Sequence, residues 1–561
     1  MEVVSDDGET KVVVATGPGE VTLTFGDGGR EHLVGLGERF VRMDQRGRRW
    51  TGGIVDLLAA EPEDTYNYVP LLFSSAGYAV LLDTYAPAVW DLRGPGWSVT
   101  VPEPEVRAYV FRGTPLRIVE LASAINGRPP LPPPWAFGVW KTTLSGTDAV
   151  LRHAERLRDD EIPVASCWVY DHYDEATNSG CGIAGAYPYG DYPSLTALTG
   201  GLHDLGMKAL TYVQPCLFAE SAPWREAKAR GWLAEGDVPY FNPHLRPRDL
   251  AMVSDGSTYV DLANDDAAAF YASLLQGTIE QGWDGWMQDM GEHLPAGGAD
   301  RIRYPLLYHR LSHSVWEGRD FAVFARSGTL GSAPYVSAGW PGDQGCNWTP
   351  DRGLASVLPA GPTAGLAGVS TFGPDISGIT DYRDGVTGDE ELWLRWCQYG
   401  ALNPLMRDHL GFKSEVMDLW TTERTTRVFR DYARLHLRLF PYFRALAKEA
   451  TATGVPIVRA LLLHHPECRE AWTVSDEYLL GRDLLVAPVH QRGATERRVW
   501  FPPGEWASWW DTERYEGPGW ATVDAPLERI PLFQRAGSAV PLLREVTAHP
   551  TDDDAVEIRQ A

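Results

Sequence analysis

Cysteine is scarce in this sequence. There are six in 561 residues, at positions 167, 181, 216, 346, 397 and 468, and none form a C-x-x-C pair. That excludes a disulfide-built scaffold and a zinc-like ligand spacing, and it fits a reducing cytoplasm. No apolar run approaches the ~20 residues a membrane helix needs. The opening Met1-Glu-Val-Val-Ser-Asp-Asp-Gly has neither a basic nor an apolar leader segment, so no secretory signal is expected. Basic residues are outnumbered, 50 against 75 acidic, for a formal charge of −25. Such a surface repels nucleic acid and anionic membranes, so neither is an expected partner. The phosphate-cradling G-x-x-x-x-G-K-[ST] loop, the G-x-S-x-G elbow and a dinucleotide fingerprint after a strand are all missing. His464-His465-Pro466 has no third ligand at a telling distance, and a solvated turn is the better reading.

What is present is a globular balance, 44% hydrophobic and 22% charged. The length exceeds what one core can organise, so two to four folding units are expected. Aromatic side chains are abundant, with 22 Trp, 23 Tyr and 17 Phe. Most belong in the core, but a Trp face also packs well on the C–H face of a sugar ring, and a few such contacts are expected.

The pattern changes twice along the chain. Residues 1–125 alternate apolar and polar in short runs, as in Val21-Thr-Leu-Thr-Phe and Tyr78-Ala-Val-Leu-Leu-Asp, which predicts an antiparallel sandwich. The stretch Arg128-Pro-Pro-Leu-Pro-Pro-Pro-Trp135 reads as a stiff linker. Strand-like runs then alternate with helix-like ones. The predicted strands are 135–141, 164–171, 208–214, 258–262, 284–289, 321–327, 367–373 and 404–409. Helices are expected over 147–160 and 265–281. Eight strands with intervening helices predict a (β/α)8 TIM barrel. After about 445 the chain reverts to β, and Thr551-Asp-Asp-Asp reads as a solvated tail. The expected units are 1–127, 133–445 and 446–561: an N-terminal β-sandwich, a barrel and C-terminal β-sheet domains, an α/β fold overall.

A barrel gathers reactive groups at the C-terminal ends of its strands. Those ends carry Asp171, Gln214, Asp289 with Glu292 close behind, Arg326, Asp375, and Arg407-Asp408-His409. Converging carboxylates point to acid/base and nucleophilic chemistry. Two of them at about 5–5.5 Å carry out retaining glycoside hydrolysis, one attacking and the other protonating the leaving oxygen. Taken singly, any of these acids is as readily a helix cap or an arginine partner.

These residues resemble glycoside hydrolase family 31, the retaining α-glycosidases, over nearly the whole chain. The carrying segments are Gly35-Leu-Gly-Glu-Arg-Phe40, Pro132-Pro-Pro-Trp-Ala-Phe-Gly138, Trp286-Met-Gln-Asp-Met-Gly-Glu292, Arg326-Ser-Gly328 and Trp340-Pro-Gly-Asp343 with Trp348. Gly481-Arg-Asp-Leu-Leu-Val-Ala-Pro488 and Pro526-Leu-Glu-Arg-Ile-Pro531 resemble its C-terminal β region. The resemblance implies Asp289 as nucleophile and Asp343 as acid/base. Strand ends alone do not select Asp343, which sits in the loop after 321–327. The resemblance also implies that Asp171, Trp286, Arg326, Asp375 and His409 grip the sugar, with Arg326 keeping Asp289 ionised. No metal or other cofactor is expected, because a carboxylic acid and a carboxylate do the work. The expected partner is a small carbohydrate, with self-association left open.

The implied activity is exo-acting hydrolysis, first of α-glucosides. Met287-Gln288 ahead of the nucleophile, and His172-Tyr173 after Asp171, depart from the usual α-glucosidase motifs. Gly291-Glu-His-Leu-Pro295 and Arg303-Tyr-Pro305 look closer to the sulfoquinovosidase branch. Sulfoquinovosidase, α-xylosidase or another α-hexosidase activity is the alternative within hydrolysis. A glycosyl-transferring or lyase relative and a non-catalytic carbohydrate-binding protein are the rivals outside it.

Overall fold

The computed structural model describes residues 2–26, 29–55, 64–180, 191–236, 258–295, 297–379, 389–409 and 417–561. The N-terminal part is two antiparallel sheets, one of six strands and one of four. The smaller sheet shows the expected alternation. Trp97, Val99 and Val101 point inward from the strand Trp97–Val101 while Ser98 and Thr100 are half-exposed. Their partners across the sandwich include Leu72, Val80 and Leu82 of the larger sheet. At Leu71–Ser74 and Tyr78–Asp83 the larger sheet is buried on both faces, which is why Tyr78–Asp83 reads as a nearly continuous apolar run. Its second face, with Phe73, Leu81 and Phe111, packs on Leu461–Leu463 and Trp500 of the C-terminal region. The expectation of pure β over 1–125 is corrected at Pro115–Asn126, a helix whose first turn is capped by Thr114 Oγ1 accepting from the Arg117 N–H.

The barrel is a parallel ring with two corrections to the expected strands. Seven of its strands are Val139–Thr142, Val164–Trp168, Lys208–Val213, Gly285–Gln288, Ala322–Ala325, Ala338–Gly339 and Met406–Asp408. The remaining position is shared by Phe372, bridged to Gly339, and Asp375–Ile376, paired with Arg407-Asp408. Gly339 donates to the Thr371 carbonyl and accepts from the Gly373 N–H, which closes the ring. Residues 258–262 are not in it. Tyr259 and Val260 make only isolated bridges to Cys216 and Leu233, in the loops above the third strand. The missing strand is Ala338–Gly339, two residues long and too short to leave a period-two pattern. Its glycine is required by packing, since a Cβ there would lie 2.5 Å from Val369. At the first strand, Pro134–Phe137 is a 3-10 turn and pairing begins only at Val139. The expected helices appear at Thr147–Asp159 and Asp265–Glu280.

The barrel interior is filled by aromatic rings. Phe324 sits at its centre, met edge-on by Trp140, Trp168 and Trp340 at 5.4, 5.7 and 5.3 Å. Much of the tryptophan excess is thus spent on close-packed core.

A helix, Phe440–Thr453, runs across the expected boundary at 445–446, and the C-terminal six-stranded sheet begins at Val458. Thr551-Asp-Asp-Asp is largely exposed, as expected, but is not the end of the ordered chain. It turns the chain into the strand Val556–Gln560, and Asp552 pairs with Arg444 at 3.0 Å. Cys167, Cys216, Cys397 and Cys468 carry free thiols, and Cys181 lies outside the described residues. Among the described residues no helix is long and apolar enough to cross a membrane.

One buried acid sets a pH dependence of stability. Glu477 is 2% exposed, and its carboxyl accepts from the Trp500 N–H and lies 3.6 Å from Arg497. Burial pushes its pKa up to about 8, against the pull of Arg497. The folded chain therefore keeps a proton that the unfolded chain has lost, and stability falls as pH rises from about 4.5 to 8. Glu477→Gln should melt progressively higher than the parent as pH rises from 5 to 8.5. Calorimetry at both ends checks this, and a gap that does not change with pH refutes it.

Candidate active site

The fourth strand, Gly285–Gln288, fixes the centre of the site. Strand alternation turns Met287 into the barrel among Trp140, Trp168 and Phe324. It turns Trp286 the other way, where the fully buried ring meets Phe321 at 4.6 Å in the layer between strands and helices. Trp286 is therefore not brought to the mouth, a correction to its expected place on the sugar. Asp289 follows at the strand end, its N–H donating to the Val213 carbonyl. The chain then reverses through Met290 and Gly291, both at positive φ, 62° and 107°. This turn lets the Met290 N–H donate back to Asp289 Oδ1 at 2.7 Å. Tyr212, from the third strand, donates to Oδ2 at 2.7 Å.

Arg326, at the end of the fifth strand, is the hub. Its Nε lies 3.0 Å from Asp289 Oδ1, its Nη2 2.7 Å from Glu292 Oε1 and its Nη1 3.3 Å from Asp343 Oδ2. The guanidinium fork, rigid and with five N–H donors, suits three acceptors at once. Asp343 follows the short sixth strand through Trp340-Pro-Gly, with Gly342 at φ 74°. Because Asp289 and Asp343 touch one guanidinium, their nearest oxygens lie within about 9 Å, a bound that covers both the retaining spacing of about 5–5.5 Å and the wider inverting one. Both acids keep a little exposure, 12% and 13% of their side chains, while Glu292 has none.

At Asp289, burial acts alongside the expected charge pairing with Arg326. Burial raises its carboxyl above the usual range, and the like charge of Glu292 adds to this. Arg326, Tyr212 and the Met290 N–H pull the other way and limit the rise. Arg326 thus favours the ionised form without depressing the pKa below its ordinary value.

The rest of the mouth is built from further strand ends. Asp171, after the second strand, accepts from the Ser145 N–H at 2.8 Å and from the Tyr192 hydroxyl. Asp375 pairs with Arg407 of the last strand. Burial, with a contribution from the Asp289 charge, pushes the Asp375 pKa up to about 6 against the pull of Arg407. The Arg407 guanidinium lies 4.5 Å over Phe324, so the aromatic core forms the floor of the site. His409 is fully buried against Tyr170 at 5.6 Å and Trp168 at 4.9 Å, and burial holds it neutral, well below its ordinary pKa. Lys141, from the first strand, pairs with Asp408 at 2.8 Å and Asp418 at 3.0 Å.

Of the expected residues, Asp289, Arg326 and Asp343 are directly joined, and Asp375 is close enough for its charge to be felt at Asp289. Several polar groups at the site had no expected role. Glu292 and Arg407 stand close to Asp289 and His409 at strand ends. Lys141 stands one residue before the end of the first strand. Tyr66 comes from the N-terminal region, where nothing in the pattern marks it. Among the described residues no group of three or more His, Cys, Asp or Glu is arranged to hold a metal.

Three family models match successive parts of the chain. The glycosyl hydrolases family 31 TIM-barrel domain matches residues 129–446, more than half of the sequence. The chain belongs to glycoside hydrolase family 31. The family's C-terminal domain matches residues 454–540, and its N-terminal galactose mutarotase-like domain matches residues 4–91. Among curated relatives of this family-31 enzyme, the sulfoquinovosidase of Agrobacterium fabrum is 30% identical, covering 91% of this chain and 82% of the relative. The sulfoquinovosidase of Escherichia coli is 28% identical over 91% and 80%. Alpha-glucosidase 2 of Bacillus thermoamyloliquefaciens is 25% identical over 95% and 70%. Among solved structures, a family-31 sulfoquinovosidase from E. rectale, in complex with an aza-sugar inhibitor, superposes with a TM-score of 0.85 at 25% identity, over 95% of this chain and 86% of that one. The protein is a glycoside hydrolase with a TIM barrel.

Proposed function

We propose that this enzyme is a retaining, exo-acting α-glycoside hydrolase, with Asp289 as nucleophile and Asp343 as acid/base. The observation that carries the reading is the Arg326 guanidinium shared by Asp289 and Asp343 at the barrel mouth. An α-glycoside reacts through an oxocarbenium-like transition state. Asp289 Oδ attacks the anomeric carbon as the protonated Asp343 gives its proton to the leaving oxygen. A β-glycosyl ester on Asp289 results, and the aglycone departs as a neutral alcohol. Asp343, now a carboxylate, takes a proton from water, whose oxygen displaces Asp289. The sugar leaves with its α configuration restored. Tyr212 and the Met290 N–H fix the orientation of Asp289, so little reorganisation is left for the reaction itself. Asp171, Asp375 and His409 are assigned to sugar hydroxyls, turning binding energy into positioning.

For the sugar, an α-glucoside is the first choice. The described cations of the mouth, Arg326, Arg407 and Lys141, are each already held by carboxylates, which suits a site that reads hydroxyls. A sulfoquinovoside is the second reading, favoured by the sulfoquinovosidase relatives that match most of the chain. A cytoplasmic location is part of the proposal, supported by the free thiols.

A panel of aryl α-glycosides of glucose, xylose, galactose and sulfoquinovose tests this, with the first anomer read by NMR. The expected result is one clearly preferred sugar and the α-anomer as first product. A β-anomer as first product would remove the double displacement. A new glycoside that forms with added acceptor sugar to the near exclusion of free sugar, together with negligible turnover when water is the sole acceptor, would assign the enzyme to transfer rather than hydrolysis.

A further inference from the structure

We infer that Tyr66, a residue of the N-terminal region, is a positioning residue for proton transfer by Asp343, an inference that rests on the acid/base reading above. The N-terminal region reaches the mouth through a two-residue parallel pairing. Asn67-Tyr68 lies beside Gly328-Thr329, two residues beyond Arg326, and the Gly328 N–H donates to the Tyr66 carbonyl at 3.1 Å. The approach is close enough that a Cβ on Gly328 would meet the Asn67 side chain at 2.6 Å. This pairing plants the Tyr66 ring, fully buried, between the two elements that bear the hub.

One contact is with Arg326, whose guanidinium carbon lies 4.8 Å from the Tyr66 ring centroid. That distance is within cation–π range, and the plane of the ring limits where the fork can point. The other contact is with the turn carrying Asp343. The Asp343 N–H points at the Tyr66 hydroxyl oxygen, a long contact at 3.4 Å. Gly342, at φ 74°, lies so near the ring that a Cβ there would sit 2.1 Å from a ring carbon. Glycine is needed at 342 for its backbone angle and for the space the ring occupies. Phe40 meets the Tyr66 ring edge-on at 6.3 Å from behind. Tyr66 therefore sets the Gly342-Asp343 turn on one side and the Arg326 fork on the other. Through both it fixes where the Asp343 carboxyl stands relative to the leaving oxygen.

A residue acting this way matters in proportion to how much protonation the leaving group needs. The test compares two donors of the sugar that the panel selects, an alkyl α-glycoside and the α-glycosyl fluoride. Fluoride leaves with little protonation, whereas an alkoxide needs a full proton. Tyr66→Leu should lower kcat/KM on the alkyl donor by about 30- to 100-fold, the scale of an ångström of misplacement, and on the fluoride by less than about fivefold. Tyr66→Phe keeps the ring and should restore most of the alkyl rate. Gly342→Ala forces the ring and turn apart and should reproduce the skew, which keeps the test decisive if Tyr66→Leu does not fold. Equal losses on both donors, or no loss, overturn the inference. Asp343→Ala on the same donors judges the parent reading separately. If it keeps its alkyl rate, Asp343 is not the proton donor and the inference falls with it. If Asp343→Ala shows the skew and the Tyr66 and Gly342 variants do not, only the inference falls.

Discussion

Asp289→Ala is expected to lower turnover of an aryl α-glycoside by at least about ten-thousand-fold, roughly 5 kcal/mol of barrier, while leaving the fold in place. The size follows from the role. Without the carboxylate there is no covalent intermediate, and the developing positive charge on the sugar loses its nearest counter-charge. The fold should tolerate the change because Asp289 is a buried carboxyl raised by burial, with Glu292 still on Arg326. Removing it relieves a like-charge pair as well as breaking contacts. Azide gives the sharper measurement. In the Asp289→Ala enzyme the space on the β face can admit the small anion, and an activated α-glycoside should yield the β-glycosyl azide. The parent enzyme's acid limb in kcat/KM should lie above the pKa of an ordinary aspartate, because burial and Glu292 both raise the group that must ionise. Residual activity within about tenfold of the parent would mean that another group attacks.

The limits of the sequence reading have specific physical causes. The ring of strands is visible because each long strand leaves an apolar run between turn residues, as at Val164–Trp168 and Lys208–Val213. Ala338–Gly339 leaves none, being two residues long, and residues 258–262 leave one while belonging to loops. That exchange is why Asp343 reads as a loop residue in the sequence. It follows the true sixth strand by a three-residue turn, Trp340-Pro-Gly, whereas Asp289 follows the fourth directly. The segment that carries the nucleophile suggests a place on the sugar for Trp286, but period-two alternation sends it outward whenever Asp289 points in. The Arg326 hub joins residues 37 and 34 positions earlier with one 17 positions later. Residue type suggests that an arginine will find carboxylates but does not say which. Tyr66 lies beyond this kind of reading, because its place depends on how two separate sheets dock. The rise at Asp289 is hidden from residue types for a related reason. Charge pairing is visible in residue types, but burial, which dominates here, is a property of the assembled barrel.

Asp343→Ala should give a loss that depends on the leaving group, which no purely structural defect reproduces. The two steps of a double displacement use the same residue differently, as acid when the aglycone departs and as base when water attacks. With an alkyl or sugar aglycone, the first step needs the proton, and kcat/KM should fall by about a thousandfold or more, the upper part of the range for general acid catalysis. With a dinitrophenyl or fluoride aglycone, the first step proceeds nearly unaided, so kcat/KM should change by less than about tenfold. In that case kcat falls instead, because water attacks the glycosyl ester without a base. KM should fall with it as the ester accumulates. Azide needs no base and should restore turnover of the activated donor, giving the α-glycosyl azide, the opposite anomer to that expected from Asp289→Ala. The contrast between the two azide products tests both assignments together. Each carboxylate serves one face of the sugar ring, and the shared contact with Arg326 holds the two close enough for one sugar to lie between them. The same azide anomer from both variants, or equal losses on alkyl and activated donors in Asp343→Ala, would show that the two acids do not divide the work in this way.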